Sequence, residues 1–158
     1  MELKQADVLA LLELDSEAGT LRWKSGRFAG QLAGCLRRDG YVGIQFGGKK
    51  YFAHRLIWLA HYGAWPTHAI DHINGTKNDN RIANIRDVPQ KVNTQNRRPN
   101  KSLLHGLMGV ADHGGRGRYS ARVKVDGISH HIGQFATAEL ANEAYLEAKR
   151  KLHPGCTF

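Results

Sequence analysis

Ile70-Asp71-His72-Ile73-Asn74-Gly75, then Asn80-Arg81-Ile82-Ala83-Asn84-Ile85-Arg86 and Asn93-Thr94-Gln95-Asn96, is the stretch that decides how this chain is read. Residues 69–73 have the pattern of a short strand. Asn74-Gly75 is a strong turn signal, because both residues tolerate positive φ. Residues 76–80 form a polar loop, and Ile82 to Arg86 is expected to return as a second strand. Pro89 suits the first turn of a helix, which would carry Asn93 and Asn96 on neighbouring positions of one face. The expected unit is a two-stranded ribbon closed by a helix, with Asp71, His72, Asn84 and Asn93 converging.

Those groups suit hydrolysis of a phosphodiester, which needs an activated water and relief of charge on the phosphate and leaving oxygen. A neutral imidazole such as His72 can take the proton from water. Asp71 is an oxygen ligand for a hard cation, and Asn93 offers a second, neutral oxygen; waters and phosphate would complete an octahedron. Consecutive strand residues point to opposite faces. Asp71 and His72 can therefore serve one site only if the strand twists or ends there. Without further support, the same asparagines read rather as plain turn and cap residues of a loop region.

Upstream, Tyr41 to Phe46 alternates, Gly47-Gly48 makes a tight turn, and Lys49 to Ala53 returns as a β-hairpin with Lys49 and Lys50 near its tip. His54 to Tyr62 fits a helix burying Leu56, Ile57, Leu59 and Ala60, with Gly63 as its C-cap. Nearer the N-terminus, Leu3 to Leu14 has a helical apolar stripe, and Thr20 to Lys24 reads as a strand whose Trp23 packs. Gly26 to Gly40 reads as an irregular loop whose Arg27, Arg37 and Arg38 either meet phosphates or are simply solvated.

Composition narrows the function classes. The chain has 158 residues, 23 basic and 14 acidic, for a net charge of +9. The excess is distributed: residues 1–96 hold 13 basic and 9 acidic side chains, residues 97–158 hold 10 and 5. Such a distribution suits a polyanion running along the molecule. Cys35 and Cys156 form no CxxC pair, which argues against a Cys-rich zinc site and for a reduced, intracellular setting. No signal peptide is expected, and no apolar run approaches the roughly 20 residues of a membrane span.

The central motifs resemble the HNH endonucleases, in particular phage-type proteins related to intron-borne homing endonucleases. The resemblance rests on His54-Arg55-Leu56-Ile57-Trp58, Asp71-His72-Ile73-Asn74-Gly75, residues 78–86 and Asn93-Thr94-Gln95-Asn96-Arg97, in matching order and spacing. It implies an α+β chain with a ββα-metal (His-Me finger) nuclease domain. It makes His72 the general base, Asp71 and Asn93 the metal ligands, and Asn84 the residue that holds the loop or the base. Many members have His where this chain has Asn93, which favours Mg²⁺ or Mn²⁺ over a tightly held transition metal. His54 matches a frequent family position without an assigned role, and His61 reads as a structural or solvated histidine.

Residues 97–102 are polar and basic, with Arg97 and Arg98 as candidate DNA contacts. Beyond them, Gly109-Val110, Tyr119 to Val125 and His130 to Phe135 read as three strands with turns at Gly114-Gly115 and Asp126-Gly127. Thr137 is an N-cap candidate for a helix to about Leu152, with an apolar stripe of Leu140, Ala141, Ala144, Tyr145, Ala148 and Leu152. Arg122 and Lys124 share one strand face, and a sheet presenting basic side chains can enter a major groove. This segment resembles the AP2 DNA-binding domain in Gly109-Val110, residues 119–125, Ile132-Gly133-Gln134-Phe135, Thr137-Ala138-Glu139, Ala141, Ala144-Tyr145 and Ala148, with Tyr119 where Trp is commoner. The resemblance implies DNA contact by Arg116, Arg118, Arg122 and Lys124, with His130 as a further candidate. HNH with AP2 is a combination familiar in phage genes.

The expected organisation is a nuclease domain over 1–98 (core about 40–98), a linker over 99–106 and an AP2-like domain over 107–158. The expected function is a metal-dependent endonuclease or nickase acting on double-stranded DNA, as a monomer or homodimer, in the cytoplasm of a host cell if phage-encoded. The rival is a non-catalytic DNA-binding regulator that keeps the HNH fold. An RNA-binding protein has no recognition motif behind it.

Overall fold

A computed structural model describes residues 3–96, 106–113 and 117–157. Arg97, Arg98, Arg116, the Gly114-Gly115 turn and nearly all of the expected linker lie outside the described residues. The chain divides into two compact units, residues 1–93 and 94–158.

In the first unit, α1 (Gln5–Leu11) passes directly into β1 (Leu12–Asp15), which pairs antiparallel with β2 (Thr20–Trp23). The helix expected over Leu3 to Leu14 therefore stops early. Leu12 and Leu14 sit opposite Trp23 and Leu21, and Leu12 and Leu21 are fully buried. A short apolar run does not distinguish the helical from the strand period; the partner strand makes that choice here.

A second sheet orders β3 (Cys35–Leu36), β4 (Val42–Phe46) and β5 (Lys49–Phe52), with Phe46 opposite Lys49 across the Gly47-Gly48 turn. The loop expected over Gly26 to Gly40 is largely irregular but contains β3. Helix α2 (Ala53–Tyr62) follows β5 without a linker. Its Leu56, Ile57 and Leu59 are at most 1% exposed and join Val8, Leu12, Leu21, Ile44 and Phe46 in one core. Each such side chain contributes about 1.5–3 kcal/mol on burial. Gly63 ends α2 in the left-handed region (φ +80°), its N–H donating to Leu59 O.

The ribbon comprises β6 (Ala69–His72) and β7 (Ile85–Val88), antiparallel, with Asp71 opposite Arg86 and His72 opposite Ile85. The expected return strand begins later than its sequence suggests, because Ile82–Asn84 forms a 3₁₀ turn first. Asn84 competes with the ladder through its side chain, donating from Nδ2 to Asp79 O and accepting from Asn74 N–H. Helix α3 (Gln90–Gln95) follows Pro89.

In the second unit, β9 (Tyr119–Val125) lies between β8 (Val110–Asp112) and β10 (Ile128–Phe135), all antiparallel, with α4 (Ala138–Leu152) packed against the sheet. Asp126 and Gly127 both have positive φ, as a two-residue hairpin turn of this hand requires. Thr137 caps α4 through Oγ1, which accepts from Leu140 N–H. The middle of the expected stripe (Ala141, Ala144, Tyr145 and Ala148) is buried or half-buried, but its two ends are not. Leu140 and Leu152 are 49% and 44% exposed, whereas Ala138, Ala141 and Lys149 are buried. Gly109 explains the close seating: a Cβ there would lie 2.0 Å from the Tyr145 ring, so only glycine lets the helix rest at this depth. Among the described residues, no helix is long and apolar enough to cross a membrane.

Candidate active site

The site is built on the end of β6. The strand stops at His72, and Gly75 N–H donates back to His72 O to start the turn. Asn74 Oδ1 accepts from Thr76 N–H, and Asn84 Oδ1 accepts from Asn74 N–H, so the turn is clamped from within and from β7's side. Asp79 holds the far end of the loop. It accepts from Arg81 Nη2 at 2.6 Å and from Asn74 Nδ2 at 2.7 Å. These bonds, led by that to Arg81, hold the Asp79 carboxyl down at about 2.

Asp71, His72, Asn80 and Asn84 are all buried, at 2–7% exposure. Asp71 faces its cross-strand neighbour: Arg86 Nε and Nη2 donate to Asp71 Oδ2 at 2.9 and 2.7 Å. His72 Nε2 lies 3.0 Å from Asn80 Oδ1. A carboxamide oxygen only accepts, so in this amide orientation Nε2 carries the proton and Nδ1 the lone pair. The ring of His72 also meets His54 edge-on at 5.2 Å and Tyr41 at 5.9 Å.

His54, at the start of α2, stacks on Phe52 (5.3 Å, 10°) and tilts against Tyr41 (5.4 Å). Its Nδ1 is buried and has no hydrogen-bond partner among the described residues. Burial first, then the neighbouring His72 and Arg55, pull its pKa down to about 3. His54 is therefore a neutral aromatic wall at physiological pH. Burial, aided by Asp39 and Asp71, raises the Tyr41 phenol. Lys77 of the loop lies over the Tyr41 ring at 4.9 Å and donates to Asp39 O.

Residues 51–95 match the HNH endonuclease family. The HNH match spans the second half of β5, α2, the ribbon and α3, and so contains His54, Asp71, His72, Asn84 and Asn93. It supports nuclease chemistry on DNA for this stretch. No curated protein and no solved structure gives a significant match.

Around the HNH residues, three partners escape a reading of the sequence. Asn80 sits in a polar run (Asn78-Asp79-Asn80) in which only burial singles it out. Arg86 becomes visible once the strand register is known. Tyr41 lies outside the HNH match altogether. Asn93, on α3, is half-buried. Among the described residues, no group of three or more His, Cys, Asp or Glu is arranged to hold a metal ion. The expected donor pair, Asp71 with Asn93, is a carboxylate and a carboxamide, both hard oxygen donors.

The remaining basic residues are scattered. Lys49 and Lys50 are exposed on the β4–β5 hairpin. Arg37 is committed to Asp39 at 2.9 Å, and Arg27 lies over Phe28. In the second unit, Arg118, Arg122 and Lys124 are exposed. The two exposed histidines of β10 differ in register. His130 pairs with buried Val123, whereas His131 pairs with Arg122. Directly opposed residues share a face, so His131 rather than His130 stands beside Arg122.

Proposed function

We propose that the chain is a metal-dependent DNA endonuclease or nickase whose first unit cuts and whose second unit anchors it on the duplex. One observation carries the reading: within the HNH match, a buried imidazole, His72, is held through Nε2 by the Asn80 carboxamide at 3.0 Å, a contact that puts the proton on Nε2 and the lone pair on Nδ1 when Asn80 presents its oxygen. That is the form a general base needs.

On this reading, His72 Nδ1 takes the proton from the attacking water, and Asn80 steadies the imidazolium that forms by keeping its hydrogen bond. Asp71 and Asn93 would hold Mg²⁺ or Mn²⁺. When bound, the cation relieves charge on the scissile phosphate and the leaving oxygen. Arg86 fixes the Asp71 carboxylate through Oδ2, a positioning role. Asn84 keeps the Asn74–Asp79 loop closed beneath the base. His54 and Tyr41 wall the imidazole and limit its rotation.

The second unit resembles an AP2-type sheet in the residues set out above, and we assign its Arg122, Lys124 and His131 face to the DNA, with Arg118 at the adjoining turn. A sheet can enter the major groove, where basic side chains reach phosphates and guanine edges.

The test is plasmid nicking by purified protein with Mg²⁺ or Mn²⁺, with and without chelator. His72→Ala is expected to lower cleavage by about 10²–10⁴-fold, the usual worth of a general base, while gel-shift affinity stays unchanged. No cutting by the wild-type chain across a broad panel of DNA targets would overturn the reading in favour of a DNA-binding regulator.

A further inference from the structure

The HNH match begins at residue 51, yet a contact from far upstream reaches the group that holds the candidate base. Gly19, in the β1–β2 turn, is buried with φ +67°. A Cβ on it would lie 2.2 Å from Arg81 N, 2.3 Å from Asn80 C and 2.8 Å from Arg81 Cα. All three are backbone atoms, which cannot swing aside as a side chain does. In the same turn, Ser16 O accepts from Ile82 N–H at 3.2 Å. Residues 80–82 are thus gripped by one hydrogen bond and one van der Waals contact from the N-terminal hairpin. Asp15 in turn holds the hairpin's bend, its Oδ1 accepting from Ala18 N–H at 2.8 Å.

The grip matters because of what lies beside it. A cavity of about 240 Å³ is lined by Gly19, Leu21, Ala33, Ile57 and Asn80 among others. Asn80, which also lines it, is itself only 2% exposed, and the turn packs directly against its backbone.

We infer that the Ser16–Gly19 turn is a positioning element for His72, acting through Asn80: it holds the Asn80 carboxamide where it fixes the imidazole tautomer. The inference rests on the proposed role of His72 as base, and it can be tested apart from that role. No residue of the turn touches the reacting atoms.

The comparison is Gly19→Ala against Gly30→Ala. Gly30 has a similar φ (+76°), but a Cβ there meets nothing within 4 Å. Both variants force alanine into the left-handed region; only the first also displaces residues 80–81. The readouts are ¹⁵N shifts of the His72 ring, assigned with His72→Gln, and the kcat and DNA affinity of the full chain. Gly19→Ala is expected to mix the two neutral tautomers of His72 and to lower kcat by about tenfold or more, with affinity unchanged. Gly30→Ala is expected to match the wild type in all three. Identical ring shifts and kcat in the two variants would overturn the inference. Should Gly19→Ala fail to fold, Asp15→Ala loosens the same turn without a clash; it is expected to shift the ring signals in the same direction, and wild-type signals would overturn the inference. If the wild-type chain cuts no DNA, the nuclease reading fails on its own, while the ring shifts still decide whether the turn governs His72.

Discussion

Lowering the pH should destabilise the first unit through one histidine. His54 is 7% exposed and its pKa is pulled down to about 3, against about 6.5 in an unfolded chain. Between those values the unfolded chain binds a proton that the folded chain refuses. Stability therefore falls as pH drops from 6.5 towards 3, by up to about 1.4 kcal/mol per pH unit. From pH 7 to pH 5 the loss from this group is about 2 kcal/mol. Asp79 works in the same direction but in a lower window: its contribution is present above pH 3.8 and is lost only as the pH falls through about 2. Urea unfolding followed by tryptophan fluorescence isolates the effect, because all three tryptophans (Trp23, Trp58, Trp65) lie in residues 1–93. With a slope of about 2 kcal/mol per M, the wild-type midpoint should fall by about 1 M more than that of His54→Phe, which keeps a ring against Phe52 and cannot titrate. The other histidines are common to both proteins and cancel in the difference. Equal pH dependence in the two proteins would show that the buried ring is not held neutral, and the wall assigned to it would have to be abandoned.

Two further outcomes are expected. Asn84→Ala removes both side-chain bonds of the turn, from Asn74 N–H and to Asp79 O; leaving those groups unpaired should cost about 1–3 kcal/mol and lower cleavage, read by the same urea titration and by plasmid nicking. Arg122→Ala should weaken DNA binding uniformly across sequences and reduce the salt slope by about 1 if it contacts a phosphate, whereas a sequence-dependent loss would place it on a base edge; either is measured by gel shift over a salt series.

The strongest signals in the sequence were those carried by local chemistry. Gly75 and Asp126-Gly127 mark turns because their backbones take positive φ, and Thr137 starts α4 because its hydroxyl meets an orphan N–H. What was not legible depends on partners distant in the chain. Leu12 and Leu14 join a strand only because Leu21 and Trp23 lie opposite. Asn84 opens a 3₁₀ turn because its carboxamide finds Asp79 and Asn74. That α4 buries Lys149 and leaves Leu140 exposed depends on how the helix sits on its sheet, where Gly109 admits the Tyr145 ring. In the site, the types of group were readable: a carboxylate, an imidazole and carboxamides in order. Their pairing was not. That Asn80 rather than Asn78 meets His72, that Arg86 meets Asp71, and that His131 rather than His130 joins Arg122 follow from register and burial, which no run of neighbouring letters encodes.

The direct passage from β5 into α2 has a practical consequence for anyone wishing to transplant the HNH-matching stretch. Strand β5 has its ladder partner in β4, and α2 rests on side chains from α1, β1 and β2. A peptide cut at the borders of the family match would begin inside a hairpin, with one strand's hydrogen-bonding edge bare and the helix's apolar face wet. The portable module is therefore larger than the recognisable one, and a graft that keeps its ends near residues 3 and 96 preserves the partners that a shorter insert would leave behind.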